Sequence, residues 1–501
     1  MVLSFVVKCI LTLVFSSVLY YLYLIISNYK VFRFSFSQNG RWVPLFPFLG
    51  NAYVALLTGL RVNILSTVLW GEKYIGLPLG YWNGRQYNYV IKSAEDAKTV
   101  LNHPKCMDKA EMYSNIHYLF SNSILLIPGE QWKGRRRYLR SAFNTNMINT
   151  FIPTLYQQSC SLIHLIKKKK PEDDNYKFFN NHAFMSFFLT SIGWLADDIK
   201  DSEVSKFGHL VDKFQDEFVK LLLTPSIPMW LWIRSPLSIK LNVYKKQIMQ
   251  VLNNILKKKI GQMAKHSEYV TNTTDLPLLE LLLNDGYDSV DNETKLYQEF
   301  ALFATAATDT TGHTLTFTFT LLGMFQDIQQ KVYEEVMNVV EGREIDSQML
   351  SKLVYTEAVI NEALRIFPVV PLYGRYCLKD IELENTTVPE GASVIISVLH
   401  IHRNPEYWDN PLEFDPSRFL PENCGKIKPG SFLPFSIGPR NCIGQRMAIT
   451  LIKMTVAIVV SHFRITSKYK SIKEFKLISC ISMKTRHDLD LHFIPRSQNG
   501  H

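Results

Sequence analysis

Phe435-Ser436-Ile437-Gly438-Pro439-Arg440-Asn441-Cys442-Ile443-Gly444 presents a single cysteine in a turn of glycines and proline, just ahead of an apolar helical run over residues 447–461. A thiolate that ligates a metal has to be held still by backbone hydrogen bonds. Gly438 and Gly444 let the chain approach closely and turn with positive φ. Arg440 stands two residues before the cysteine, where it can meet an anion. The helical run behind Cys442 places the sulfur at a helix N-terminus, whose dipole favours the thiolate. Structural burial is the other fate of a lone cysteine. The spacing of phenylalanine, glycine, arginine, cysteine and glycine speaks against it.

At 501 residues, with no Gly/Ser-rich or Pro-rich linker, the chain is expected to form one large domain behind a short anchor. Hydrophobic residues make up 47% of it and aromatics 13%, which is ample for a core of that size. The seven cysteines are odd in number and scattered without CxxC spacing, so neither a disulfide framework nor a zinc site is indicated. A formal charge of +10 fits a membrane surface, an acidic protein partner or nucleic acid. The lysine runs at 167–170 and 257–259 lack interleaved aromatics and read as solvated faces, so no nucleic-acid partner is expected.

Residues 9–26 are uncharged and mostly apolar; as a helix they would extend about 27 Å, against about 30 Å for a bilayer core. Lys8 precedes this run and Lys30, Arg33 and Arg41 follow it, which puts the rest of the chain on the cytoplasmic side. No small-x-small cleavage site follows, so a retained anchor is expected rather than a signal peptide. The expected layout is an anchor over 1–29, a basic and proline-containing hinge over 30–51 with Pro44, Pro47 and Gly50, and a globular domain over 52–501. The sequons at Asn272, Asn292 and Asn385 would be modified only in a lumenal protein. Residues 76–82 and 85–91 read as two strands around Asn83-Gly84, and Ser93 with Asp96 reads as a helix N-cap.

Trp132 and Arg136 stand four apart, so on a helix they leave the same face. Residues 221–233 are apolar but broken by Pro225 and Pro228, which rules out a second span; a buried loop is one reading, and interfacial Trp230 and Trp232 are another. Residues 296–325 follow a long apolar helix pattern interrupted by Ala306-Ala307-Thr308-Asp309-Thr310-Thr311-Gly312. Buried Asp and Thr are costly unless bonded, and Thr hydroxyls that bond back to the carbonyl four residues earlier bend a helix. Glu362 and Arg365 share a helix face limited by Pro368, and Arg418 follows in Phe414-Asp415-Pro416-Ser417-Arg418-Phe419. His487 and His492 in the tail read as exposed strand residues rather than metal ligands.

In this order the strings resemble the cytochrome P450 superfamily, from Trp-x-x-x-Arg at 132–136 to Phe-x-x-Gly-x-Arg-x-Cys-x-Gly at 435–444. The resemblance implies a mainly α fold with small β-sheets, a helical prism around a buried haem behind the anchor. It makes Cys442 the axial iron ligand, with Phe435, Gly438, Arg440 and Gly444 forming its loop. Trp132, Arg136 and Arg375 match positions that reach the haem propionates. Asp309 and Thr310 match the acid and alcohol that deliver protons to iron-bound dioxygen, although Ala307 stands where glycine is usual. Glu362, Arg365 and Arg418 match a structural triad, with Ser417 replacing a frequent acid.

The implied activity is NADPH-dependent monooxygenation of a lipophilic substrate at the endoplasmic reticulum membrane, with the catalytic domain facing the cytoplasm. Electrons would arrive from a membrane NADPH–cytochrome P450 reductase docking near Lys133, Arg135, Arg137 and Arg140. No nicotinamide or flavin fingerprint occurs in this chain, which agrees with an external donor. Residues 438–445 and 130–137 look most like the fatty-acid ω-hydroxylase clan and its insect relatives, which oxidise fatty acids, hormones and foreign compounds including insecticides. Ala306 occupies the place of the glutamate that esterifies the haem in several clan members, so haem without an ester link is expected. Insect hormone or foreign-compound oxidation is the leading expectation and fatty-acid ω-hydroxylation the alternative. A reductase-independent isomerase and a non-catalytic haem-binding membrane protein are remoter ones.

Overall fold

The computed structural model describes residues 2–38, 80–83, 86–113, 120, 123–193, 206–211, 213–214, 217, 233–265, 276–284, 290–479 and 482–496. Pro44, Pro47 and Gly50, the stretch 221–232, Gly84 and Asn272 lie outside the described residues. Helix α1 (Val2–Ser27) contains the apolar run and starts seven residues ahead of it. Leu11, Phe15 and Ile26 are 61%, 65% and 77% exposed. Among the described residues, no helix is long and apolar enough to cross a membrane.

Helix α2 (Tyr29–Gln38) occupies the first part of the expected hinge. Val31, Phe34 and Ser35 fall on one helical face and are buried. The Phe34 ring meets Tyr87 at 6.0 Å and Tyr89 at 5.4 Å, edge-on in both cases. Those tyrosines sit on β2 (Gln86–Ile91), which pairs antiparallel with β1 (Gly80–Asn83), Asn83 opposite Gln86. The connection is therefore residues 84–85, one position later than the expected Asn83-Gly84 turn: Asn83 is the last residue of β1 and pairs with Gln86. Ser93 caps α3 (Ala94–Asn102), its hydroxyl accepting the Asp96 N–H at 3.3 Å.

Helices dominate from there: α4 (Gly129–Leu139), α5 (Thr145–Lys168), α6 (Asn175–Ile192), α7 (Pro236–Lys265), α8 (Leu278–Asn284), α9 (Val290–Met324), α10 (Gln326–Val340), α11 (Ser347–Lys352) and α12 (Val354–Ile366). Helix α12 stops before Pro368, because Phe367 must leave the α region to precede a proline and has φ −122° and ψ 70°. Strands β3 (Leu372–Tyr376), β4 (Ile381–Glu382), β5 (Thr387–Val388) and β6 (Ser393–Ser397) follow, then α13 (Val398–His402). The chain closes with α14 (Gln445–His462), β7 (Phe463–Thr466), β8 (Leu477–Ser479), β9 (Met483–Thr485) and β10 (His492–Pro495). The largest sheet has the order β1-β2-β6-β3. In it β6 runs parallel to β2 and antiparallel to β3, with Arg375 opposite Val394.

Helix α9 organises the core. Its 35 residues extend about 52 Å, and residues 311–322 are buried without exception. The local sequence Thr314-Leu315-Thr316-Phe317-Thr318-Phe319-Thr320-Leu321 alternates like a strand, yet it is helical. Each threonine hydroxyl bonds the carbonyl four residues back, at 2.7–2.9 Å for Thr314, Thr316, Thr318 and Thr320, so the polar atoms are satisfied inside the helix. The helix is then apolar all round and packs on several neighbours at once. Phe317 stacks on Phe367 at 4.5 Å and Phe179 meets Phe319 at 5.1 Å. Each such fully buried ring contributes about 1.5–3 kcal/mol.

Two apolar clusters meet along α9. The N-terminal half, Leu296 to Ala304, joins α4, α6 and α8. The C-terminal half, from Leu315, joins α10, α12 and α14. Residues 305–314 lie between the two clusters, and this is where Asp309 and Thr310 stand.

Candidate functional site

The cysteine loop is shaped by its backbone. The Cys442 N–H donates to the Phe435 carbonyl at 2.9 Å, closing the loop that carries the sulfur. Gly438 has φ +73°, and a Cβ there would run into the Leu101 carbonyl, so both conformation and space demand glycine. Gly444 differs from the expectation: its φ is −88° and a Cβ would meet nothing within 4 Å. Its negative φ needs no glycine, and what glycine leaves there is open space two residues from the thiol. Phe435 and Ile443 pack at the margins of the two apolar clusters, with Ala307 of α9 on the same cluster as Ile443.

Cys442 retains accessible surface although protein surrounds it. Burial pushes its thiol up from the ordinary value, while the Gly444 and Gln445 N–H groups and the Arg136 guanidinium pull it down. The two N–H groups lie at the start of α14, which is the helix-terminus effect expected for a thiolate.

A knot of cations lies close to this loop. On α4, Trp132 is buried and carries the Arg440 guanidinium over its ring at 4.7 Å. Arg136, one turn on, donates to the Asn441 side chain at 2.9 Å. Arg440 donates through Nη1 and Nη2 to the carbonyls of Ile124 and Ile127 at 3.1 and 2.6 Å, leaving Nε buried without a partner. Arg375 on β3 is 1% exposed and spends Nη1 on the Gly374 carbonyl at 3.0 Å; its Nε too is unpartnered. Burial, then the charge of Arg375, brings Arg440 down to about 9 against the pull of Asp108. Lys109 is driven well below the usual lysine range by burial, Arg375 and Arg440.

Two buried guanidiniums with unpartnered Nε atoms and the partly buried amine of Lys109, beside an accessible thiol, suit a group that brings its own carboxylates and a metal for the sulfur. A haem with two propionates fits that donor set. Lys109 escaped the sequence reading because its setting, Cys106-Met107-Asp108-Lys109, has no motif spacing. Only the fold brings it against Arg375.

On α9, Thr305, Ala306, Ala307 and Thr310 keep accessible surface while Thr308, Asp309 and Thr311 are buried. Thr310 bonds back to the Ala306 carbonyl at 2.7 Å, as the threonine-rich pattern predicts. Asp309 receives Asn180 Nδ2 at 3.1 Å and Ser482 Oγ at 3.3 Å. The two residues singled out together therefore sit in different surroundings, one accessible and one enclosed.

Glu362, Arg365 and Arg418 do meet. Arg365 grips Glu362 with two bonds of 2.6 and 2.7 Å, both side chains fully buried. Arg418 Nε reaches the same carboxylate at 3.5 Å. Arg365 also donates to the carbonyls of His402, Pro411 and Glu413, tying three segments together. His487 and His492 are exposed, the latter 3.2 Å from Asp490.

The cytochrome P450 family model matches residues 43–488. Cytochrome P450 4c21 of Blattella germanica is 29% identical over 452 residues, covering 87% of this chain and 89% of the relative. Cytochrome P450 4V2 of Homo sapiens is 29% identical, covering 85% and 84%. The probable cytochrome P450 4ac3 of Drosophila melanogaster is 27% identical, covering 85% and 84%.

Proposed function

The chain belongs to the cytochrome P450 family and is a monooxygenase of that kind, and from this premise we propose that it oxidises a lipophilic substrate with electrons passed from NADPH by a membrane reductase. Cys442 is the proposed iron ligand, and Trp132, Arg136, Arg375, Arg440 and Lys109 the proposed cradle for the propionates. The observation that carries this is the pair of unpartnered Nε atoms on buried Arg375 and Arg440 beside the accessible thiol. When bound, the haem supplies dioxygen chemistry in which one oxygen atom enters a C–H bond and the other leaves as water.

The chain's own residues do the rest. The Gly444 and Gln445 N–H groups and Arg136 favour the Cys442 thiolate and so oppose the burial that raises its thiol; a bound metal would supply the remaining stabilisation. Thr310, accessible on α9, presents a hydroxyl to the reacting side, and the buried Asp309 beside it is the proposed proton relay. The apolar flanks of α9 exclude water from the remainder of the site. Helix α1, with its exposed apolar side chains and basic residues behind it, is the proposed attachment to the endoplasmic reticulum, leaving the body in the cytoplasm. Resistance of the full chain to carbonate extraction from microsomes tests this attachment.

Insect hormones or foreign compounds are the proposed substrates, in keeping with cockroach and fly relatives. Ala306, accessible on α9, has no carboxylate to esterify a haem methyl. Haem that separates from the protein in acidic organic solvent is the expected result. Cys442→Ala should abolish the Soret shift of the reduced carbonyl complex; its retention would remove Cys442 as ligand. NADPH-dependent product formation with reductase separates a monooxygenase from an isomerase or a passive haem carrier. A Soret titration with lauric acid, a steroid, a juvenoid and an insecticide tests the substrate class, and a response to lauric acid alone would favour ω-hydroxylation.

A further inference from the structure

Gly312 brings α6 so close to α9 that a Cβ at this position would stand 2.7 Å from the Asn180 backbone nitrogen. That approach aims the Asn180 side chain at the neighbouring turn of α9. Its Nδ2 donates to Asp309 Oδ1 at 3.1 Å, and Ser482 Oγ, from just before β9, donates to Oδ2 at 3.3 Å. Asn180, Asp309 and Ser482 are 5%, 4% and 2% exposed, so bulk water replaces neither donor. Asn180 Oδ1 is buried without a partner. An amide placed this way suits both forms of a carboxyl group: its N–H serves the carboxylate, and its spare carbonyl accepts from the acid.

The titratable groups packed around this seam are His313 one turn along α9, Tyr176 on α6 and Lys484 on β9. The His313 ring contacts Tyr176 at 4.7 Å and its Nδ1 lies 3.1 Å from the Met483 carbonyl. Burial, with Lys484 adding to it, keeps His313 neutral, down to about 3. Burial likewise keeps the Tyr176 phenol protonated. Near neutral pH neither ring changes charge, and Asp309 is the carboxyl group that the Asn180 and Ser482 donors hold.

We propose that Asn180 and Ser482 are positioning residues that set when Asp309 takes up and releases its proton, one from helix α6 and the other from the C-terminal hairpin. The proposal rests on the reading of Asp309 as the proton donor and adds the groups that control it. Neither residue belongs to a sequence motif, and they lie 302 positions apart (482 − 180).

The test is an infrared titration of the haem-loaded full chain, following the carboxyl stretch assigned to Asp309 by its loss in Asp309→Asn. Donors to a carboxylate stabilise its charged form. Ser482→Ala and Asn180→Ala should each raise the Asp309 midpoint by about one pH unit. Ser482→Thr should restore it. An unchanged midpoint in both alanine variants, accompanied only by a lower melting temperature, would reduce Asn180 and Ser482 to packing and overturn the proposal. Asp309→Asn with an unaltered ratio of product to NADPH would instead overturn the reading of Asp309 itself.

Discussion

The imidazole of His402 accepts the backbone N–H of Leu433 at 2.7 Å. Its other ring nitrogen lies 3.2 Å from the Arg365 carbonyl, so the neutral Nδ1–H tautomer joins the core ion pair to the segment nine residues ahead of Cys442. The Tyr373 hydroxyl shares its one proton between the carbonyls of Leu433 and Pro434, at 2.8 and 3.0 Å. The cysteine loop is thereby fixed from behind by groups that never touch its sulfur.

His402→Ala strands the Leu433 N–H in a buried place and should cost about 1–3 kcal/mol. It should also speed haem release measured by transfer to an acceptor globin. His402→Gln, which keeps an acceptor and a donor, should recover part of both. Equal haem release in wild type and alanine variant would show that the loop holds itself.

Burial lowers His402 and His313 to about 3 and His182 to about 4, from an ordinary 6.5. In each case the folded state binds its proton less readily than the unfolded chain. Their stabilising effect is therefore complete above about pH 6.5 and is lost as pH falls through the window down to 3–4. Urea unfolding at intervals between pH 7 and 5 should show stability falling throughout, and a flat profile would contradict the buried neutral rings.

Arg365→Leu leaves Glu362 buried without its main partner and should cost about 3–5 kcal/mol. Removing Glu362 as well ordinarily softens such a loss. Here the double substitution should recover little, because the His402, Pro411 and Glu413 carbonyls still lose their donor. Denaturant midpoints of the single and double variants decide this.

Lys109→Met removes one charge from the crowded knot with Arg375 and Arg440. The haem-free chain should become more stable, by about 1 kcal/mol, while haem retention weakens. Opposite signs in the two measurements are the signature of a cation kept for a ligand. A loss in both would make Lys109 structural.

Gly438→Ala meets both a left-handed backbone and the Leu101 carbonyl, and should cost at least about 1–2 kcal/mol together with haem loading. Gly444→Ala fits the backbone and the open space around it, so folding should change by less than about 0.5 kcal/mol. Thermal melting of the two variants makes the comparison.

Local chemistry was enough to read much of this protein from its sequence. The Ser93 cap, the hairpin of β1 and β2 to within one residue, the stop of α12 before Pro368 and the return bonds of threonines on α9 each depend on atoms within a few residues. So does the cysteine loop, whose glycine at 438 and closing bond to Phe435 are encoded in ten positions. Tertiary structure decided the rest. The helix read at 296–325 satisfies its threonine hydroxyls locally, but only the fold supplies the neighbours that enclose residues 311–322 on every side. Lys109 meets Arg375, Asn180 and Ser482 meet Asp309, and His402 meets Leu433 across separations no periodicity spans. A hydrogen bond depends on distance and direction in space, and for residues far apart in the chain only the folded core supplies both.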